Sequence, residues 1–358
     1  MPFATSYTST PTMKIGGNLS TAAMRDLIAL SVEEDLHGMC ALEAVLTNWG
    51  SNGQKPDYLY LDRKTLDFGT KLEIGFGPTG SDVRLFSGKV SALQADFPAT
   101  AVATVTISAE DSLQDFRFTR RTRTFDDSTS ADIASQMASE HGLTPQVDLD
   151  GPSRKVVNQL NLSDLAFLRE LARADGAEVW LDDTTLHLQK RSDRDAGNVT
   201  LTYGGNLVEF SVRADLAHQC TDLSVTGWSV TDKEAITEKG DVSALGSELG
   251  QDTSGADILA AAFADRHESL VVAEPLASDD ARSRANAAYL DRARRFVCGT
   301  GSTAGTPSLR VGTRVTLAGL GPVFNGDYRV TRTRHHFDLV GGYRTDFDVE
   351  RVGIGATS

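Results

Sequence analysis

Alternating apolar and polar positions mark two stretches of the chain that resemble each other. The first opens with residues 69–74, which read GTKLEI, and the second opens with residues 312–317, which read GTRVTL. In both runs the apolar residues alternate with polar ones, which is the period of a strand with one buried face. Each run is followed by a turn and a second apolar stretch. The pattern predicts a β-hairpin that occurs twice, with connecting turns that have diverged in length.

Both copies contain a Phe-x-Gly triplet and end on a phenylalanine. The predicted turn and repeat positions are Gly69, Phe86, Gly88 and Phe97 in the first copy, matched by Gly312, Phe324, Gly326 and Phe337 in the second. The apolar parity changes after Val90 and again after Val330, which predicts a bulge or a corner bend in each copy. A further candidate strand follows each hairpin, at residues 103–109 and 343–349. We therefore expect a small antiparallel barrel near each end, with chance similarity between two glycine-rich hairpins as the alternative.

Between the two barrels the pattern changes to helices followed by strands. Ser130 is the expected cap of a helix over residues 131–141, and Ser163 is the expected cap of a second helix over residues 164–175. A strand pair at residues 177–181 and 185–189 follows. The fold class is thus mainly β with an α+β insertion: residues 1–115 form the first barrel, 116–195 the insertion, and 196–358 return strands and the second barrel with helices.

Composition narrows the class of protein. A chain of 358 residues has room for roughly two to three domains. The three cysteines, Cys40, Cys220 and Cys298, are far apart and form no CxxC pair, so neither a disulfide framework nor a zinc site is expected. We see no secretory signal in residues 1–20 and no apolar run long enough for a membrane span, which favours the cytoplasm. The net charge of −14 disfavours nonspecific binding to nucleic acid or anionic membrane.

The motifs that could carry chemistry have structural explanations. Residues 75–80 (GFGPTG) have the spacing of a dinucleotide site, but a strand-like run follows where that site needs a helix, so we expect a hairpin turn. Residues 148–151 (DLDG) lack the flanking ligands of a calcium loop and are read as a turn. The arginines at positions 117, 120, 121 and 123 are read as the solvated basic face of a strand.

Two further clusters of residues contain side chains that could take part in chemistry. His335 and His336 lie on one predicted strand, so their side chains point to opposite faces and cannot share a metal. The acidic run of Glu33, Glu34 and Asp35 could serve glycoside hydrolysis only if the fold placed two carboxyls in a cleft. We therefore expect no catalytic residue, no cofactor and no metal site.

Several segments carry a resemblance to a known family. Residues 160–173, continued by 176–180, resemble the phage late-control D family, which comprises the central baseplate hubs of contractile tails and the hub region of the type VI secretion spike protein VgrG. Residues 312–331 with His336 and Phe337 are similar to the same family, as are residues 207–210 leading to Gly227 and Trp228. Together these segments span most of the chain beyond Gly69.

The resemblance implies a homotrimer in which each subunit supplies two tube-like barrels, giving a pseudo-sixfold ring. Such a ring would be a structural adaptor between a hexameric inner tube protein and a trimeric spike protein, within a baseplate with other components. Because the chain ends soon after the second barrel, a separate spike protein is expected. Assembly in the cytoplasm would precede incorporation into a phage tail or injection particle. A tail-associated peptidoglycan hydrolase and a surface carbohydrate-binding module are the alternatives.

Overall fold

A computed structural model describes residues 10–51, 55–77 and 82–355. The first part of the chain is almost entirely β, because its apolar residues alternate: in β4, for example, Leu42, Ala44 and Leu46 are buried while the residues between them are not. The elements of this part are β1 (Thr12–Ile15), β2 (Asn18–Leu19), α1 (Thr21–Asp26), β3 (Leu27–Asp35), β4 (Ala41–Thr47), β5 (Gly50–Ser51), β6 (Pro56–Asp57), β7 (Lys71–Phe76), β8 (Val83–Asp96) and β9 (Thr104–Glu110).

The middle of the chain is the predicted α+β module. It contains a 3₁₀ helix (Ser112–Phe116), β10 (Arg120–Ser128), α2 (Ser130–Glu140), β11 (Thr144–Asp148), β12 (Arg154–Ser163), α3 (Asp164–Ala174), β13 (Ala177–Asp182) and β14 (Thr185–Lys190). Ser163 caps α3, as predicted. The cap of α2 is Thr129 and not Ser130, because Thr129 forms a capping box with Asp132.

The last part returns to strands, with helices between them. Its elements are β15 (Asn198–Thr202), β16 (Leu207–Ala214), β17 (Asp222–Ser229), β18 (Glu234–Asp241), a 3₁₀ helix (Val242–Glu248), β19 (Thr253–Ser254), α4 (Gly255–Phe263), β20 (His267–Pro275), α5 (Ser278–Arg294), β21 (Val297–Ala304), β22 (Arg314–Ala318), β23 (Gly326–Asp338), β24 (Gly342–Arg351) and β25 (Gly353–Ile354).

The principal sheet has 13 strands, ordered β16-β21-β24-β23-β3-β4-β9-β8-β7-β1-β2, with β22 joining β23 to β15. It contains the same five-stranded arrangement twice. The first repeat unit is β3, β4, β9, β8 and β7, and the second repeat unit is β16, β21, β24, β23 and β22. Corresponding strands pair in corresponding registers: Leu30 lies opposite Ala44 as Phe210 lies opposite Gly301, and Ala95 lies opposite Val105 as His335 lies opposite Thr345.

The irregularities of the two repeat units also correspond. The register shifts between Val90 and Ala92 in β8 and between Val330 and Arg332 in β23, which confirms the predicted bulges. The sequence pattern predicts two separate barrels. The described strands instead form one open sheet shared by both units, because β23 continues past its bulge and pairs with β3.

Four apolar cores lie under these elements. The two repeat units and the α+β module each have one, and a fourth is formed by β17, β18, β20 and α5. The fourth core lies between β16 and β21 in sequence, within the region that the sequence analysis assigned to the second barrel. The boundaries drawn at residues 115 and 195 remain a prediction.

Candidate assembly interface

The glycine turns that open the two repeats have the same backbone geometry. Gly69 and Gly312 adopt φ values of +77° and +89°, a region that favours glycine. The Gly69 N–H donates to the Val90 carbonyl at 2.8 Å, and the Gly312 N–H donates to the Val330 carbonyl at 3.0 Å. Each turn therefore fixes the start of its hairpin against the residue that precedes the bulge.

The Phe-x-Gly triplets occupy different positions in the two hairpins. Gly88 lies opposite Leu72 in the first repeat unit, whereas Gly326 lies opposite Leu317 at the end of the second ladder. Phe86 is buried within its strand, while Phe324 lies in the turn before β23 and is partly buried. The ladder register therefore does not pair these triplets. Because the turns differ in length, aligning similar residues across them gives the wrong correspondence between the two strands.

The two glycines are also required for different reasons. A Cβ on Gly88 would lie 2.2 Å from the Glu110 carbonyl oxygen and 2.5 Å from the Phe86 ring, so the neighbouring strand approaches too closely for a side chain. Gly326 has a φ of +138°. Close approach explains the first glycine, and backbone conformation explains the second.

The junction between the repeat units is the antiparallel pairing of β3 with β23, from Asp35 opposite Arg332 to Ala29 opposite Asp338. On its polar face, Arg332 and Arg334 both contact Glu33, at 3.2 Å and 3.1 Å. On the opposite face, Phe337 packs against the core of the first repeat unit. The junction therefore combines ladder hydrogen bonds, ion pairs and apolar burial.

Below the junction lies a buried ionic network. Glu34 of β3 accepts hydrogen bonds from Arg310 at 2.7 Å and from Arg194 at 3.0 Å, and Arg194 also contacts Glu178 of the α+β module at 3.1 Å. Burial by itself would raise the pKa of Glu34, but the positive charges of Arg310 and Arg194 outweigh it and hold the pKa below its ordinary value. An ionised Glu34 thus links both repeat units and the module.

His335 and His336 point to opposite faces of β23, as predicted. His335 is buried, with Nε2 2.9 Å from the Leu309 carbonyl oxygen and Nδ1 2.9 Å from the Tyr343 hydroxyl. Burial, together with the nearby charge of Arg310, lowers the pKa of His335 to about 3, so the ring is neutral. Nε2 then donates to Leu309, and Nδ1 accepts from Tyr343. His336 instead contacts Asp346 at 3.1 Å on the polar face.

Two edges of the sheet remain open at positions that correspond to the junction. In β8, residues 91–96 pair with β9 on one side, but β7 pairs only as far as Lys89 on the other. β16 is the last strand of the described sheet path. Apart from an isolated bridge between Leu207 and Tyr203, its pairing among the described residues is with β21. Phe97, the counterpart of Phe337, is 59% exposed and contacts Tyr58 with ring centres 5.4 Å apart. The first unit thus exposes the residue that the second unit buries.

The remaining motifs form no reactive centre among the residues described. Gly75 and Phe76 belong to β7 and the next described strand is β8, whereas Pro78, Thr79 and Gly80 of the glycine-rich stretch lie outside the described residues. No group of three or more His, Cys, Asp or Glu side chains in the described ranges is arranged to hold a metal. No helix in that part of the chain is long and apolar enough to cross a membrane.

The predicted basic face is neutralised by acidic side chains of the module and of β9. Arg123 contacts Glu140 at 2.7 Å, and Arg121 contacts the buried Asp164 at 3.4 Å. Arg117 pairs with Glu110 of β9. The acids come from other elements, so the local sequence could not reveal them. The cluster is therefore an internal ion-pair network in large part, and not a free basic surface.

Solved structures share this fold over nearly the whole chain. A 43 kDa tail protein of prophage MuSo2 from Shewanella oneidensis is 15% identical with a TM-score of 0.67, and covers 96% of this chain and 98% of its own. A tail protein from Neisseria meningitidis MC58 is 13% identical with a TM-score of 0.68, covering 98% of both chains. The Escherichia coli c3393 protein, a type VI secretion component described as similar to T4 tail proteins gp27 and gp5, is 11% identical with a TM-score of 0.61, covering 96% of this chain and 79% of its own.

The chain thus has the fold of phage tail proteins. A family model described as the Alg8 N-terminal domain matches residues 5–338, and the chain belongs to that family. No curated protein matches the sequence.

Proposed function

We propose that this protein is a non-enzymatic structural hub of a contractile phage tail or injection system. In this role it forms a homotrimer that joins a hexameric inner tube to a trimeric spike and contacts other baseplate components. Each subunit contributes its two repeat units, and three subunits present six similar surfaces. The protein binds no cofactor or specific nucleic acid, and it acts as part of the particle after assembly in the cytoplasm.

The observation that carries this proposal is the internal duplication. Two five-stranded units with matching registers and matching bulges are joined side by side by β3 and β23. A chain that places two equivalent units next to each other can meet sixfold symmetry with three copies. Among the described strands one edge of each unit remains open, and a closed ring of copies would cover those edges.

The fold and the sequence support the same role from separate directions. The solved proteins that share the fold include phage tail proteins and a type VI secretion component. The resemblance to the late-control D family rests on particular segments, including α3 and the second repeat unit. The ionisable groups near the junction are paired with each other, as in the Glu34 network, which suits a scaffold.

Solution mass tests the proposal. Light scattering should give three times the mass of one chain, for the chain alone or for the chain with its spike protein. A monomer under both conditions would refute the adaptor. Release of soluble fragments from purified cell wall by the chain, abolished by a single Asp or Glu substitution, would instead indicate a hydrolase. Binding of glycans by the monomer would indicate a carbohydrate-binding module.

A further inference from the structure

We propose that residues 91–97 of one subunit pair with β16 of a second copy in the register of the internal β3–β23 junction. This inference rests on the proposed trimer and names the strands and residue pairs that would join its subunits. The occupant of each open edge is thus another copy of the same chain, which supplies the complementary edge.

β16 is the structural equivalent of β3. Ala29 lies opposite Val45 after a register shift that follows Leu27, and Glu209 lies opposite Ser302 after a shift that follows Leu207. The two strands therefore share both their pairing and their irregularity. Phe210 occupies the position of Leu30, and Val212 occupies the position of Val32.

The open part of β8 is the structural equivalent of the part of β23 that pairs with β3. Both segments begin just after the corresponding bulge, and both pair on their other side with the corresponding strand, β9 or β24. Ala92 therefore corresponds to Arg332, and Phe97 corresponds to Phe337. The segment of β23 has a partner on each side, whereas its counterpart in β8 has one.

Transferring the internal register gives a specific ladder between copies. The face that packs on the core would pair Leu93 with Ala214, Ala95 with Val212, and Phe97 with Phe210 of the second copy. The other face would pair Ala92 with Asp215, Gln94 with Arg213, and Asp96 with Ser211. On one face of this ladder apolar residues lie opposite apolar residues, and on the other face polar residues predominate. The transferred register alone produces this match.

The geometry requires a second copy and not another part of the same chain. The two open edges lie at opposite ends of the paired units, with β21, β24, β23, β3, β4 and β9 between them in the sheet. An interface between two different edges is heterologous, and such interfaces close into a ring when the rotation between subunits allows it. Each subunit would then use both edges.

Disulfide trapping tests the register. The double variant D96C/S211C would be made in a C298S background, because Cys298 lies on β21 near Ser211 and could compete for it. Paired residues in a sheet lie within disulfide range. The matched control is D96C/E209C, in which the second cysteine moves two positions along the same face. Diagonal neighbours of that kind are about 7–8 Å apart, beyond the usual range.

After mild oxidation, D96C/S211C should give species of two and three linked chains on a non-reducing gel, at least tenfold more than D96C/E209C. All three substituted side chains are exposed in the single chain, so urea unfolding of each variant should match the parent. A trimer that fails to cross-link, or that cross-links equally well in the control, would refute this register while leaving the trimeric hub intact. A monomer, alone and with spike protein, would refute both proposals.

Discussion

Phe97 offers a way to separate assembly from folding. Its side chain is 59% exposed in the single chain, at the open edge of β8, and the proposed ladder places it against Phe210 of another copy. We expect Phe97→Glu to leave the subunit folded and to abolish the trimer. Loss of the Tyr58 ring contact should cost the subunit only about 0.5–1.5 kcal/mol.

The expected magnitude follows from the exposed area. A fully enclosed phenylalanine buries about 200 Å², so an exposed fraction of 59% corresponds to about 120 Å² and about 3 kcal/mol for each junction. A closed ring of three subunits contains three junctions, for a total of about 9 kcal/mol. Because the concentration at which three monomers assemble varies as the square root of the trimer dissociation constant, it should rise by about 10³-fold.

Light scattering over a range of concentrations would measure that shift. Phe118→Glu is the matched control, since Phe118 is 69% exposed but lies between the first 3₁₀ helix and β10, outside both open edge strands. The control should assemble as the parent does. The reasoning is refuted if Phe97→Glu and the control assemble at the same concentration, or if Phe97→Glu unfolds the subunit.

Three further predictions concern stability. Gly88→Val should destabilise the subunit by about 1–3 kcal/mol in urea unfolding, because its Cβ would clash with the Glu110 carbonyl oxygen. Gly326→Val should destabilise it by a comparable amount, because valine is strained at the backbone conformation of Gly326. Unchanged unfolding of both variants would contradict the glycine geometry. Arg310→Met should lower the free energy of unfolding by about 3–5 kcal/mol, since it removes a partner of the buried Glu34. Adding Glu34→Gln to that variant should restore part of the lost stability. Folding lowers the pKa of His335 from 6.5 to about 3. The stability that depends on the neutral ring is therefore complete above pH 6.5 and decreases by up to about 5 kcal/mol as the pH falls toward 3. In His335→Gln this part of the pH dependence of the unfolding free energy should disappear.

The sequence revealed the features that leave a local trace. Apolar alternation identified β7 and β22, and the parity changes after Val90 and Val330 identified the bulges, because an extra residue in a strand reverses which side chains face inward. The N-cap at Ser163 and the apolar stripe after it identified α3. These signals all arise within a few residues of each other.

The features that were missed depend on distant pairs. Nothing in the residues of β3 specifies β23 as a partner almost three hundred positions away, so the continuous sheet could not be predicted. The same limit explains why Arg123 was read as solvated when Glu140 neutralises it. The mistaken match of Gly88 with Gly326 has a different cause: turn lengths changed, and only the ladder fixes which residues correspond.

Charge distinguishes β23 from β8 as the partner of β3. β23 presents Arg332 and Arg334 to the anionic face of β3, where Glu33 pairs with both. If β23 were to pair with β16 in the same register, Arg334 would face Arg213, a like-charge contact, but Arg332 would face Asp215, so charge does not exclude this pairing.

The exchange that places β8 against β3 would be unfavourable. A β8 edge against β3 would place Asp96 and Gln94 beside the acidic side chains of Glu33 and Asp35, with no cation to replace the two arginines. The proposed pairing instead sets Gln94 opposite Arg213 and leaves Asp96 diagonal to both Arg213 and Glu209. Charge thus selects β23 and not β8 as the partner of β3, which leaves the β8 edge for β16 of another copy. Because similar backbone edges would otherwise pair indiscriminately, this difference directs the strands toward a closed ring of alternating units.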